Sequence, residues 1–271
     1  PVLVVLPGFG NDAADYVEPL GQDSVVGLRA CLARRGCAAV VSPVQRLDWL
    51  QVFTRGLLDE DFRAANGTAP VAFGWYLDAA KEQVEAAVRA SGERAVLVGH
   101  SAGGWLARAL MQREGADWIK ANVRGLVTLG SPHLPPPEGT ADMTQGCLRN
   151  LDRTQPGAFF ADLIFYITVA GDAVEGRREE GNVPILELIQ SPSPESTAFN
   201  SYSVVCGRGN ATGDGVVPLA AAHLDGARQL TIPGCLHSIN VAGTTRPTNS
   251  SYLCEAFVDS WLGLVAEELD K

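Results

Sequence analysis

The sequence is short of the features that mark disulfide-built, membrane-spanning or nucleic-acid-binding chains. Its six cysteines (Cys31, Cys37, Cys147, Cys206, Cys235, Cys254) form no CxxC pair and are too sparse for a disulfide scaffold. Buried free thiols are the expectation, with Cys206 and Cys235 the one pair whose places at strand ends would make them neighbours. Positive charge is in deficit: 21 Lys+Arg stand against 31 Asp+Glu, a net charge of −10. An acidic field repels phosphate backbones, which argues against nucleic acid as a partner and against electrostatic docking on anionic lipid. No apolar run reaches the roughly 18 residues that span a bilayer. The longest, 159–171, is interrupted by Asp162. Neither a signal nor a transit peptide reads at the N-terminus. Three sequons, at Asn66, Asn210 and Asn249, matter only in a secretory compartment. Charged residues make up 19% and hydrophobic ones 46%, a balance that excludes a disordered chain.

What is present is a run of short apolar strands alternating with amphipathic helices. Strands read at Val2–Leu6, Cys37–Val41, Ala95–Val98, Gly125–Leu129, Ile164–Ala170, Ser203–Cys206 and Gln229–Ile232. Helices read from Ser24 to Arg35, Trp75 to Ala90, Ala102 to Gln112, Leu219 to Leu224 and Tyr252 to Leu269. This alternation predicts an α/β domain, a mostly parallel sheet with helices on both faces. The 271 residues read as one domain with two Pro- and Gly-rich inserts, 134–163 and 173–200, expected to form a small cap.

The third strand runs straight into Gly99-His100-Ser101-Ala102-Gly103-Gly104 and then a helix. That is a G-x-S-x-G elbow in its required strand–turn–helix context. Such a turn lifts the Ser101 hydroxyl off the strand tip, and the helix behind it points N–H groups at developing negative charge. A serine nucleophile needs a base and an orienting acid. Of four histidines, His100 lies inside the elbow with its side chain facing away, and His223 sits in a helix. His133 follows the fourth strand and is expected to line the site. His237 follows the last strand, where open parallel sheets bind ligands, and is the expected base. For the acid, Asp214 and Asp172 both satisfy the chain order. Asp214, flanked by Gly213 and Gly215 and one helix and strand ahead of His237, is preferred. The two oxyanion donors are assigned to the backbone N–H groups of Ala102 and, in the loop after the first strand, Phe9. Trp49 and Phe53, with Phe159, Phe160, Leu163, Ile185, Leu186, Leu188 and Ile189 of the inserts, suggest a greasy acyl or isoprenoid substrate.

The segments Leu6-Pro7-Gly8-Phe9-Gly10, Gly99 to Gly104, Leu129 to His133, Gly213 to Pro218 and Leu236-His237-Ser238 resemble the α/β-hydrolase superfamily, lipase/esterase branch. More narrowly, 43–49 and 205–208 are similar to plastid-type lipase-like hydrolases of plants, algae and cyanobacteria. The resemblance implies a covalent acyl-enzyme, no metal or other cofactor, a hydrophobic ester substrate and contact with a lipid surface as an open possibility. It implies a plastid or cytoplasmic setting, with secretion as the alternative. Pro7-Gly8 stands where the family usually has His-Gly, a change that leaves the backbone donor intact. The lack of leading antiparallel strands implies a minimal sheet. Within the same chemistry a thioesterase, an acyltransferase or a phytol-ester hydrolase fits as well. From another class, a ligand receptor retaining a hydrolase pocket also fits.

Overall fold

Short aliphatic runs buried on both faces build the centre of the molecule. The computed structural model describes residues 1–21, 23–178, 193–240 and 248–271. The strands are β1 (Leu3–Leu6), β2 (Ala39–Val41), β3 (Ala95–His100), β4 (Val123–Leu129), β5 (Phe165–Gly171), β6 (Val174–Glu175), β7 (Thr212–Gly213) and β8 (Arg228–Ile232). Six of them form one sheet in the order β2-β1-β3-β4-β5-β8. Every neighbouring pair in it is parallel. β6 and β7 pair antiparallel beside it.

The helices are α1 (Leu28–Arg34), α2 (Leu50–Gly56), α3 (Glu60–Arg63), α4 (Ala69–Ser91), α5 (Ala102–Asn122), α6 (Cys147–Thr154), α7 (Pro194–Cys206), α8 (Leu219–Ala222) and α9 (Glu255–Leu269). Alternate strand residues serve opposite faces. Val4, Leu6, Leu97 and Leu126 pack under Leu77 and Val84 of α4 and Leu106 and Leu110 of α5. Leu3, Val5, Val96, Val98 and Ile167 pack against Leu28 and Leu32 of α1 and Val258 and Trp261 of α9. The inner strands are therefore hydrophobic on both sides, as a doubly covered parallel sheet requires.

β1 leads to β2 on one side, whereas its other neighbour, β3, leads through α5 to β4 on the opposite side. The crevice between the carboxyl ends of β1 and β3 is thus the topological switch point, where open α/β sheets bind ligands.

Four sequence expectations are corrected. Ser203–Cys206 is the end of helix α7, not a strand. Ser193 caps α7 at its N-terminus, Pro194 occupies its first turn and Gly207 closes it at φ 75°. The six cysteines are free, as expected, but Cys206 ends a helix and not a strand, which removes the reason to place it beside Cys235. The helix expected from Ser24 is a short 3₁₀ turn, 24–26, capped by Asp23 and followed by α1. Phe159, Phe160 and Leu163 do not approach the switch point. They lead into the amino end of β5, at the opposite edge of the sheet. Ala158 N–H is bonded to the Asp225 carbonyl there, at 2.8 Å. Phe160 and Leu163 pack on the core. Ile185, Leu186, Leu188 and Ile189 lie outside the described residues.

Candidate active site

Ser101 sits between β3 and α5 at φ 52° and ψ −127°, a conformation costly for a residue with a side chain. Its backbone is tied on both sides. Its N–H donates to the Leu129 carbonyl at 2.9 Å, and its carbonyl accepts from Gly104 N–H at 3.1 Å and from the Ser131 hydroxyl. None of these bonds uses the Ser101 hydroxyl. Two glycines let the first loop close on this turn. A Cβ on Gly8 would stand 2.8 Å from the Ser101 Cβ, and one on Gly103 would stand 2.1 Å from the Leu6 carbonyl oxygen.

The loop after β1 is braced almost carbonyl by carbonyl. The Tyr76 hydroxyl donates to Pro7 O at 2.8 Å. Asn11 N–H donates to Gly8 O at 3.0 Å, Arg46 Nε to Gly10 O at 3.1 Å and Trp49 Nε1 to Asn11 O at 2.9 Å. Gly8 N–H donates to the Tyr16 hydroxyl oxygen at 2.9 Å. Among the described residues the N–H groups of Phe9 and Ala102 have no acceptor. These are the two donors expected from the sequence.

Asp214 follows β7 and is 1% exposed. Four donors converge on its carboxylate. Val216 N–H (3.0 Å) and Val217 N–H (2.7 Å) meet Oδ1. His237 Nδ1 and the Tyr252 hydroxyl, each at 2.8 Å, meet Oδ2. The pair is tied a second time by His237 N–H donating to Asp214 O at 2.9 Å. Burial, and then the Asp214 charge, push the Tyr252 hydroxyl well above its ordinary pKa, so it stays a donor. Asp172, the alternative acid, accepts from Gly234 N–H at 2.8 Å and so caps the turn after β8.

The remaining expected residues fall out differently. His133 is wholly buried, with Nε2 on the Thr128 hydroxyl at 2.9 Å, so it presents no surface to a ligand. Trp49 is buried behind Phe9, whose ring lies 4.9 Å away, and braces the loop. Phe9 and Phe53 are about half exposed, at 48% and 54%. His223 bonds Thr168 and Thr231, each at 3.0 Å. Sequence reasoning missed Tyr16, Tyr202 and Tyr252. Tyr202 accepts from Gly215 N–H (2.8 Å) and donates to Val174 O (3.0 Å), fixing the Asp214 loop. No local motif announces them, because each acts on a segment distant in sequence.

The overall fold is shared with solved structures. The mature lipase BlEst2 of Bacillus licheniformis aligns over 99% of this chain and 91% of its own, at 13% identity and a TM-score of 0.55. The metagenomic carboxyl esterase MGS0156 aligns over 98% of this chain and 75% of its own, at 16% identity and a TM-score of 0.52. The chain has the α/β-hydrolase fold. Phospholipase PlaB from Legionella pneumophila shares it at 13% identity and a TM-score of 0.55, over 99% of this chain and 63% of PlaB. Within the α/β-hydrolase domain, residues 49–156 match the PGAP1-like alpha/beta domain family. No curated protein sequence matches the chain.

Burial has a consequence for acid stability. It pushes His100 down to about 3, helped by the neighbouring His237, and His133 well below its ordinary range. In the unfolded chain both take a proton near pH 6.5. Below that pH the unfolded state therefore binds more protons. The stability held by keeping His100 neutral is full above about pH 6.5 and falls as the pH drops toward about 3. The slope approaches about 1.4 kcal/mol per pH unit for each such histidine. Urea unfolding of wild type and His100→Gln between pH 7 and 4.5 measures it. The variant is expected to lose stability less steeply, and equal slopes would contradict the burial argument.

Proposed function

We propose that the protein is a serine hydrolase of carboxylic esters. The observation that carries this reading is the Asp214–His237 pair at 2.8 Å, held at the carboxyl edge of the sheet that also bears the strained Ser101 turn. In this reading the Ser101 Oγ attacks the ester carbonyl carbon while His237 Nε2 takes its proton. Asp214 holds Nδ1–H and offsets the charge of the imidazolium. The negative charge on the former carbonyl oxygen meets the N–H groups of Phe9 and Ala102. Collapse expels the alcohol, which receives the proton from His237 and leaves an acyl-Ser101. Water, deprotonated by the same imidazole, then releases the acid.

The rim supports an apolar substrate class. Phe9, Leu47, Leu50, Phe53 and Leu57 are exposed on and beside the first loop, so an apolar acyl or alcohol group has a surface to lie on. The names of the structural neighbours, a lipase, a phospholipase and a carboxyl esterase, support the ester class. The narrower plastid likeness has less behind it. Arg46 and Trp49 brace the first loop, and Val205 and Cys206 end helix α7, so these residues serve local structure. For the cap, the described parts of the second insert are 173–178, with β6, and the start of α7. Thr197 of α7 lines a cavity of about 120 Å³ with His237 and Asp214.

A panel of p-nitrophenyl esters from acetate to palmitate, with the corresponding thioesters, tests the reading. Turnover of oxygen esters without added cofactor is expected, rising with acyl length. Binding of apolar ligands with no turnover would favour a receptor instead.

A further inference from the structure

His100 precedes Ser101 and is 1% exposed, yet both of its ring nitrogens are engaged by groups of the active-site loops. Nε2 lies 2.9 Å from the carbonyl oxygen of His237. Nδ1 lies 2.9 Å from the Tyr16 hydroxyl. That hydroxyl oxygen in turn receives Gly8 N–H at 2.9 Å.

The chemistry fixes every proton in this series. A carbonyl oxygen only accepts, so Nε2 carries the hydrogen. A neutral imidazole then has an acceptor at Nδ1, so Tyr16 donates there. A backbone N–H only donates, so Gly8 gives to Tyr16. The run Gly8 N–H to Tyr16 O–H to His100 to His237 C=O has one consistent direction, with no donor facing a donor. It joins the loop holding the proposed oxyanion donor to the backbone of the proposed base, and it passes directly behind Ser101. The His100 and His237 rings also lie face against face at a tilt of 37°, with centroids 4.9 Å apart.

We propose that Tyr16 and His100 are positioning residues that set the separation between the oxyanion loop and the His237 base about Ser101. The inference rests on the ester-hydrolase reading. Neither residue touches substrate. Each acts through the backbone of a group that does: Tyr16 through Gly8 and its neighbour Phe9, His100 through His237. Reactions at an acyl carbon are sensitive to displacements well below an ångström in such groups. Loosening either link should therefore slow the chemical step and leave binding of a short substrate untouched.

Three single variants and one double variant separate this from a merely structural role. Tyr16→Phe removes the hydroxyl. His100→Gln keeps a donor near the Nε2 position toward His237 and cuts the link to Tyr16. His100→Phe cuts both links with the ring shape kept. On p-nitrophenyl acetate at 20 °C, kcat is expected to fall about tenfold in Tyr16→Phe and His100→Gln, and on the order of 100-fold in His100→Phe, with KM unchanged. The double variant Tyr16→Phe/His100→Gln should be no slower than either single, because both cut the same link.

A kcat at the wild-type value in Tyr16→Phe and His100→Phe would overturn the proposal, and so would losses that multiply in the double variant. Wild-type turnover that survives Ser101→Ala, or no turnover at all, would instead overturn the ester-hydrolase reading and this role with it. Nitrogen-15 spectra of the wild-type imidazoles add a test that needs no variant to fold. His100 should appear as the neutral Nε2–H tautomer at pH 7, and an Nδ1–H tautomer would overturn the series of bonds.

Discussion

Replacing Ser101 with alanine should abolish ester turnover and leave the fold standing. The expected loss in kcat is on the order of 10⁶, the scale seen when a triad nucleophile is removed. The fold should survive because the turn is held by backbone groups. Ser101 N–H bonds Leu129 O, and its carbonyl takes Gly104 N–H and the Ser131 hydroxyl. None of these needs the Ser101 side-chain oxygen. Alanine also keeps the Cβ, so the cost of φ 52° is little changed. Kinetics on a short p-nitrophenyl ester, with thermal unfolding as the control, check the result. Retained turnover in a folded Ser101→Ala protein would remove Ser101 from the chemistry.

The second large effect is expected at Asp214. Its carboxylate is surrounded by donors alone: two backbone N–H groups on Oδ1, and His237 and Tyr252 on Oδ2. An asparagine there can satisfy only one oxygen's worth of them. If its oxygen stays with Val216 and Val217, its amide hydrogens face the Tyr252 hydroxyl and the His237 nitrogen. His237 must then shift its hydrogen to Nε2 to accept from the amide, and Nε2 can no longer take the proton of Ser101. A loss on the order of 10⁴ in turnover accompanies this change of tautomer in a triad. Asp172→Asn should stay within a few-fold of wild type, because an amide oxygen can still cap Gly234 N–H. Rates of the two variants decide between the acids. An inactive Asp172→Asn beside an active Asp214→Asn would reverse the assignment.

The candidate site was unusually legible because its key atoms sit at strand ends, and strand ends carry local marks. Gly99 to Gly104 announces a strand–turn–helix, and Leu236-His237 follows a strand in the same way, whereas Asp214 is marked only by Gly213 and Gly215, since helix α7 and the two-residue β7 precede it rather than an apolar strand. The braces were not legible. The hydroxyls of Tyr16 and Tyr252 reach partners 84 and 38 residues away, a distance no spacing rule encodes. The elbow's geometry turns the His100 side chain away from Ser101. Facing away is what lets it reach His237 from behind. The misread at Ser203–Cys206 arose from its β-branched residues, which suit a strand locally. The start signal Ser193-Pro194 lay ten residues upstream and governs the whole of α7. Composition alone places the aromatic pair Phe159–Phe160 near the substrate. In a parallel sheet the residues entering a strand lie at the far edge from those leaving one, which sends this pair to the opposite end of the molecule.

The central claim is that the Ser101 hydroxyl is the nucleophile. Wild-type protein treated with a fluorophosphonate and digested for mass spectrometry tests it most directly. One adduct per chain is expected, on the peptide carrying Gly99-His100-Ser101, with ester turnover lost in proportion to labelling. An adduct on another residue, or full turnover in a stoichiometrically labelled protein, would contradict it.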